Sequence, residues 1–205
     1  MSKTRTYNTE YLKRLNKTLT LSLNNYQRIM AVRVDLRFPP TDEYDDMPTC
    51  FFTMDNAISR FIDSLNAKLR HNLIRSRIKG KRTCLNRLRY VWVKEQVSSE
   101  HHHYHCVLII NKSAYYRLGD YDLDKPTLRT MITSAWYSAL QLELDPIIDK
   151  GTLVEYPDNC AYWLNQKSPT FEADYAALVQ RMNYLAKDYS KHYNASSRSI
   201  GYSLS

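Results

Sequence analysis

The chain has 205 residues, of which 43% are hydrophobic and only 4 are glycine and 7 proline, a composition that excludes a mostly disordered chain. Its length predicts one domain with a sizeable core. Lysine and arginine number 29 against 21 acidic residues, a net charge of +8 that favours a polyanionic partner such as nucleic acid, or an anionic membrane surface. Charge that serves solubility alone is the alternative.

No apolar run is long enough to cross a membrane, and the amino terminus, MSKTRTYNTEYLKRLNK, lacks the apolar centre of a secretory signal. A cytoplasmic protein is therefore expected. The 4 cysteines form no CxxC pair and are expected to be reduced thiols. Composition predicts a basic N-terminal arm or outer helix at 1–27, the main domain at 28–195, and a tail at 196–205 that frays.

The main domain begins with a strand. IMAVRVDLRF, residues 29–38, alternates apolar with charged residues, which is the period of a half-buried strand. After an acidic loop, Thr53 or Asp55 can cap a helix over 53–78. The following run, RSRIKGKRTCLNRLR at 75–89, suits a phosphate-contacting loop, with a solvated turn as the alternative. Charge alone nominates as DNA contacts Arg33, Arg37, Arg75, Arg77, Lys79, Lys81 and Arg82.

Two strand-like segments follow, at 88–96 and 103–110, separated by a short polar stretch, and they predict an antiparallel hairpin. Beyond it, the pattern predicts a helix at 125–142, a short strand within 151–157 and a final long helix at 168–193.

A histidine cluster lies at the turn of the hairpin. His103 and His105 are two apart on a strand and so share a face, and Glu95 can lie across the hairpin from them if the register allows. One carboxylate and two imidazoles suit Mn²⁺ or Mg²⁺, with positions open for a phosphate oxygen, and zinc competes. His101 and His102 are expected to be spare or outer groups, although a histidine of the turn could be the third ligand.

The alternative is that the histidine cluster binds no metal, because a histidine-rich turn is often a solvated surface and HxH alone is a weak signal. A cupin-type site would need a glutamate within a few residues after HxH, whereas CVLIINK follows here. The cupin interpretation is therefore excluded.

The last predicted helix carries a second candidate site. Tyr184, Lys187 and Lys191 are spaced at i, i+3 and i+7, which puts a phenol beside two ammonium groups that bind a phosphate it could attack. A basic surface helix with an incidental tyrosine is the alternative. Tyr189 or Tyr193 could be a second or substitute nucleophile, and Lys191 is a further candidate DNA contact.

An HxH strand, an upstream glutamate and a later YxxK together resemble the HUH endonucleases, which include rolling-circle replication initiators, relaxases and related transposases. Here HUH is His103-Tyr104-His105 and YxxK is Tyr184-Leu185-Ala186-Lys187. Within this superfamily, the sequence resembles replication proteins of filamentous phages and prophages with a YagK/YfjJ-like C-terminal domain, over about residues 25 to 203. The similar segments are VRVDLR (32–37), YVWVKEQ (90–96), HYHCVLIINK (103–112), YLAK and RSIGYS (198–203).

The resemblance implies a metal-dependent, site-specific DNA nickase and strand transferase that initiates replication in the cytoplasm of a bacterial host. Glu95, His103 and His105 would hold Mn²⁺ or Mg²⁺, and Tyr184 would attack single-stranded DNA or an origin hairpin to leave a 5′-phosphotyrosyl link. Lys187 would orient the phosphate. The free 3′-OH would prime a host polymerase, and a host helicase would be needed because no GxxxxGK[ST] motif is present.

The expected fold is α+β, with a central antiparallel sheet of about four or five strands and helices 53–78 and 125–142 packed on one face, as in split βαβ-type folds. The HUH strand should be central. Three other functions stay open: a single-tyrosine transposase, a non-catalytic prophage DNA-binding regulator, and a zinc-stabilised interaction module.

Overall fold

The computed structural model describes residues 7–39, 54, 56–96, 101–122, 124–142, 153–187 and 198–203. The helices are α1 (Thr9–Asn25), α2 (Ala57–Ile78), α3 (Leu128–Leu140) and α4 (Phe171–Asn183). The strands are β1 (Arg28–Leu36), β2 (Arg89–Glu95), β3 (His103–Asn111), β4 (Val154–Glu155), β5 (Ala161–Asn165) and β6 (Ile200–Tyr202). The proposed helix caps Thr53 and Asp55, and the candidate residues Tyr189, Lys191 and Tyr193, lie outside the described residues.

The strands form one antiparallel sheet with the order β4-β1-β3-β2-β6, and β5 pairs with β1 beside β4. The α+β class, the hairpin of β2 with β3 and the central position of the strand that carries His103 and His105 are confirmed. The described sheet has six strands rather than four or five. The additional strands are β5, which was not predicted, and β6, which lies in the segment expected to fray and instead pairs with β2.

The two faces of the sheet are covered by different helices, because successive side chains of a strand point to opposite faces. On one face, Met30, Val32 and Val34 of β1 pack in a core with residues of α2 and α3, as predicted for these two helices. On the other face, Ile29 and Ala31 pack with residues of α1 and α4. Helix α1 is therefore part of the core rather than a free arm. None of the described helices is both long and apolar enough to cross a membrane.

The last helix is shorter than predicted. Helix α4 ends at Asn183, Tyr184–Ala186 forms a single 3₁₀ turn, and Lys187 is extended. The backbone N–H of Asn8 donates to the carbonyl of Ala186 at 2.8 Å, and Tyr7 forms an antiparallel bridge with Lys187. Pairing with the start of α1 therefore replaces the hydrogen bonds that would have continued the helix, and the prediction of a helix through Lys187 was wrong.

Candidate metal centre

The hairpin register brings the three predicted ligands together. Glu95, the last residue of β2, is directly opposite His103, the first residue of β3, and Val93 is opposite His105. The side chains of Glu95, His103 and His105 lie on the same sheet face as those of Val93 and Val107, which pack with α1 and α4. The open question of register is therefore answered in favour of Glu95.

One ligand atom from each of Glu95, His103 and His105 lies within 4.8 Å of the others. The two Nε2 atoms of His103 and His105 are 3.2 Å apart, and a Glu95 Oε2 contacts His105 Nε2 and lies 3.9 Å from His103 Nε2. Two imidazole nitrogens and a carboxylate oxygen thus converge from three partly or fully buried side chains. This donor set fits a divalent cation that also binds oxygen ligands from a substrate.

Asp35 of β1 completes the surroundings of His105 and was not predicted as a site residue. It is opposite His105 across the β1–β3 pairing, and its Oδ1 is 2.7 Å from His105 Nδ1. A carboxylate that accepts the Nδ1 proton orients a histidine so that Nε2 points to a metal. The alternation of charged Arg33 and Asp35 with apolar residues was visible in the sequence. Identifying His105 as the hydrogen-bond partner of Asp35, however, requires knowing that β1 lies beside β3.

Arg33, nominated as a DNA contact, lies inside this site. It is buried, its Nε and Nη2 are each 3.3 Å from an oxygen of Asp35, and its Nη2 is 3.4 Å from His105 Nδ1. Since both side chains of the Arg33–Asp35 pair are buried, each offsets the cost of burying the other. Arg33 is therefore a member of the site rather than a surface cation.

The two histidines differ in their proton affinity. Burial opposes charge on His105, but its hydrogen bonds to Asp35 and Glu95 raise its pKa above the ordinary value of 6.5. Burial and the neighbouring His105 lower the pKa of His103. Burial opposes ionisation of Asp35 as well, yet the hydrogen bond and charge of His105, together with Arg33, lower the pKa of that carboxyl. His105 therefore holds a proton more strongly than His103 does.

His101 and His102 point elsewhere. His102 packs edge-on against Phe38 with the ring centroids 4.9 Å apart, and its Nε2 is 3.2 Å from the Tyr104 hydroxyl. Phe38 and Tyr104 belong to the core shared with α2 and α3, on the opposite face from His103 and His105. The turn histidines are thus not arranged as metal ligands.

Tyr184 lies next to the cluster, at the 3₁₀ turn after α4. Tyr184 is 44% exposed, and the guanidinium carbon of Arg33 is 5.0 Å from the centroid of its ring. Lys187 is buried, with its Nζ 3.3 Å from the same centroid. Because α4 ends before Tyr184, Lys187 lies over the face of the Tyr184 ring. A continuous helix would instead have placed Lys187 about one turn further along the same helix surface. The structure brings Tyr184, Lys187 and, through Arg33, the histidine cluster together.

The other nominated cations are not members of the cluster, although Arg37 is near enough that its charge contributes to lowering the pKa of His103. Arg37 donates to Glu155 at 2.7 Å in a half-exposed pair at the same end of β1. Arg75, Arg77, Lys79, Lys81 and Arg82 lie at the end of α2 and in the loop after it, where Asn111 Nδ2 donates to the carbonyl of Leu85. Since β3 runs from His103 to Asn111 at about 3.3 Å per residue, this loop is roughly 26 Å from the cluster.

Comparison with known proteins gives relatives over almost the whole chain. Residues 1–203 match the family described as the YagK/YfjJ C-terminal domain. Two Escherichia coli K12 proteins, both described as uncharacterized, are similar: YagK is 44% identical over 193 residues, which cover 94% of this chain and 91% of YagK. YfjJ is 42% identical over 197 residues, which cover 93% of this chain and 92% of YfjJ. No solved structure gives a significant match. The chain therefore belongs to the YagK/YfjJ C-terminal domain family.

Proposed function

We propose that this protein is a metal-dependent endonuclease of the HUH type that nicks and rejoins single-stranded DNA at an origin, as an initiator of rolling-circle replication. The observation that carries the proposal is the convergence of Glu95, His103 and His105 within 4.8 Å, with Arg33 in contact with both His105 and the Tyr184 ring. A phenol beside a divalent-metal site is a complete set of groups for phosphoryl transfer.

A divalent cation held by the three ligands would polarise the scissile phosphate and bear part of the negative charge of the transition state. The Tyr184 oxygen attacks the phosphorus and gives up its proton to solvent. The bond from phosphorus to the 3′-oxygen breaks, and this oxygen leaves and takes up a proton. The products are a 5′-phosphotyrosyl link and a free 3′-OH.

The cations around Tyr184 have a role in this reaction. Lys187 and Arg33 lie on the ring of Tyr184, and both are positioned by contacts that exist before DNA binds. A preorganised positive charge next to the nucleophile holds the phosphate in line for attack. Attack by the 3′-OH of a second cut on the phosphotyrosine would reverse the bond changes and rejoin the strand.

The first free 3′-OH would prime a host polymerase, with strand separation by a host helicase. A transposase of the single-tyrosine type would use the same groups and differ in the DNA that it recognises. Mn²⁺ or Mg²⁺ is the metal that the resemblance to HUH endonucleases implies, and zinc, which imidazole donors also suit, competes for the site.

The proposal is tested by mixing the protein with single-stranded DNA that covers its own replicon, with Mn²⁺ or with EDTA, and analysing the products by denaturing gel and intact mass. We expect an adduct only with Mn²⁺ that disappears in Tyr184→Phe. Tyr116→Phe, at an exposed tyrosine outside the cluster, is the matched control and should form the adduct normally.

An adduct that persists in Tyr184→Phe would move the nucleophile to another tyrosine. Absence of an adduct across the replicon, with salt-sensitive DNA binding intact, would favour a non-catalytic DNA-binding regulator. The exposed cations after α2 are the observation that favours this second function.

A further inference from the structure

Positive charge is concentrated in one segment of the chain. Residues 64–94 contain no aspartate or glutamate and carry ten of the 29 lysines and arginines. Because the whole chain has a net charge of +8, the rest of it has a net charge of −2. The basic character of this protein thus comes from a single stretch, which comprises the second half of α2, the loop after it and nearly all of β2.

Most of these cations are exposed. We call the exposed cations at the end of α2 and in the loop after it the basic end; they are Arg75, Arg77, Lys79, Lys81, Arg82 and Arg87. Within the part of the chain that the structure describes, none of the salt bridges involves a residue of the basic end. Cations at a helix C-terminus complement the helix dipole, but that accounts for one or two charges rather than six.

Hydrogen bonds fix the backbone that carries these cations. Helix α2 ends in a Schellman motif, in which Gly80 N–H donates to the carbonyl of Arg77 at 2.9 Å and Lys81 N–H to that of Ser76 at 3.0 Å. Gly80 has the left-handed φ of +70° that this motif requires. The side chain of Arg77 also donates to the Thr83 hydroxyl at 2.9 Å.

The rest of the loop is tied to the end of the sheet. Asn111 donates from Nδ2 to the carbonyl of Leu85 at 2.7 Å and from its backbone to Asn86 Oδ1 at 2.8 Å. The backbone of Arg87 donates to the Tyr26 hydroxyl at 2.9 Å. The cations are therefore presented on a loop that is ordered before any partner arrives, which lowers the entropy cost of binding.

The composition of the basic end favours duplex over single-stranded nucleic acid. Single-strand binders combine cations with aromatic rings on which bases stack, and residues 75–87 contain no aromatic side chain. Contacts to the phosphates of a duplex need only positioned cations. A polar cleft of about 490 Å³ beside the loop adds the cations Arg28 and Lys167. Its one aromatic residue, Tyr26, accepts a hydrogen bond from the backbone of Arg87.

We infer that the basic end is a second DNA site, which binds the phosphate backbone of duplex DNA without metal. Resting on the proposed function, it would hold the duplex arm of an origin while the single strand occupies the metal centre roughly 26 Å away, the length of β3. At 3.4 Å per base pair, this distance separates the two contacts by about eight base pairs or more.

Duplex affinity measured by fluorescence anisotropy at several salt concentrations tests the inference, with a mixed-sequence duplex and EDTA present. Each lost phosphate contact lowers the slope of log affinity against log salt by about 0.9. Lys79→Gln with Lys81→Gln should lower the slope by about 1.8. Lys13→Gln with Lys17→Gln, the matched change at two exposed lysines of α1, should leave it unchanged.

Equal slopes for the two double variants would overturn the inference. The inference would also be overturned if Lys79→Gln with Lys81→Gln lost binding to polyglutamate but kept its binding to duplex DNA. This result would indicate an acidic protein partner, which Ile78, 79% exposed among the cations, also suits. The duplex measurement needs no cleavage, so it can succeed or fail independently of the nickase. The Lys79→Gln, Lys81→Gln protein should still form the Tyr184 adduct on a short single strand.

Discussion

The two ends of β3 place charged side chains in different environments. At the His103 end, Arg33, Asp35 and His105 are buried and bonded to one another. At the Asn111 end, the cations of the basic end are exposed, and no carboxylate among the described residues pairs with them.

This difference in burial indicates that the charged groups at the two ends of β3 serve different functions. Buried, mutually bonded groups have shifted pKa values and fixed geometry, which suit metal binding and catalysis. Exposed groups on a fixed backbone keep their full charge toward solvent and suit the attraction of a polyanion. Changes at the first end should therefore alter metal affinity and stability, and changes at the second should alter neither by much.

The largest effect is expected from removing a ligand. His105→Ala should weaken Mn²⁺ binding by more than about 100-fold. Loss of a residue that hydrogen-bonds to a metal ligand costs up to about 100-fold in metal affinity, and loss of the ligand itself should cost more. His71→Ala, at an exposed histidine of α2, is the control and should bind Mn²⁺ normally. Isothermal titration calorimetry measures both, and unchanged binding in His105→Ala would exclude this metal centre.

Asp35→Asn tests the outer carboxylate. We expect Mn²⁺ affinity to fall about 10- to 100-fold because His105 loses its orienting partner. Stability should fall by about 3–5 kcal/mol because the Arg33 charge stays buried without its carboxylate. Glu155→Gln breaks the half-exposed pair between Glu155 of β4 and Arg37, which follows β1, and should cost less than about 1 kcal/mol. Urea unfolding compares the two, and equal losses would contradict the difference in burial.

Metal binding should weaken as the pH falls, by about tenfold per pH unit for each proton displaced. Because hydrogen bonds to Asp35 and Glu95 raise the pKa of His105, competition from protons should begin at a higher pH than the ordinary 6.5 of an imidazole. Asp35→Asn removes one of these bonds, so the onset should move to lower pH. Mn²⁺ titrations across pH measure this, and an identical onset in the variant would refute the coupling.

The smallest effect is expected from Gly80→Ala at the basic end. A Cβ there meets no atom within 4 Å, so the cost is that of a left-handed backbone alone, about 1–2 kcal/mol. Metal affinity should not change. Duplex binding should weaken if the Schellman turn opens, and a change in Mn²⁺ affinity would show that the two ends are not independent.

The sequence was sufficient to predict the parts of the site that depend on local pattern. The two-residue spacing of His103 and His105 places them on one face of any strand, and a hairpin puts the preceding strand beside them, so Glu95 could be identified. The α+β class and the central position of the strand with His103 and His105 followed from the same alternation.

Features that depend on long-range pairing could not be predicted. Asp35 joins the site because β1, distant in sequence, is the other neighbour of β3. Helix α4 ends at Asn183 because the start of α1 pairs with the segment after it. Strand β6 has only three residues, which is too few for a periodic pattern. It forms because its backbone pairs with the edge of β2.

The pairing between Asn8 and Ala186 has a consequence for the order of folding. Together with the Tyr11–Ser199 hydrogen bond, whose partners are 188 residues apart in sequence, it joins the two ends of the described chain. Contacts that close long loops cost chain entropy before they return any stability, so they form late and open early. The backbone amide of Asn8 should therefore exchange its hydrogen faster than that of Val107 at the centre of the sheet. Tyr184 would then detach from the metal centre in openings that leave the histidine strand folded.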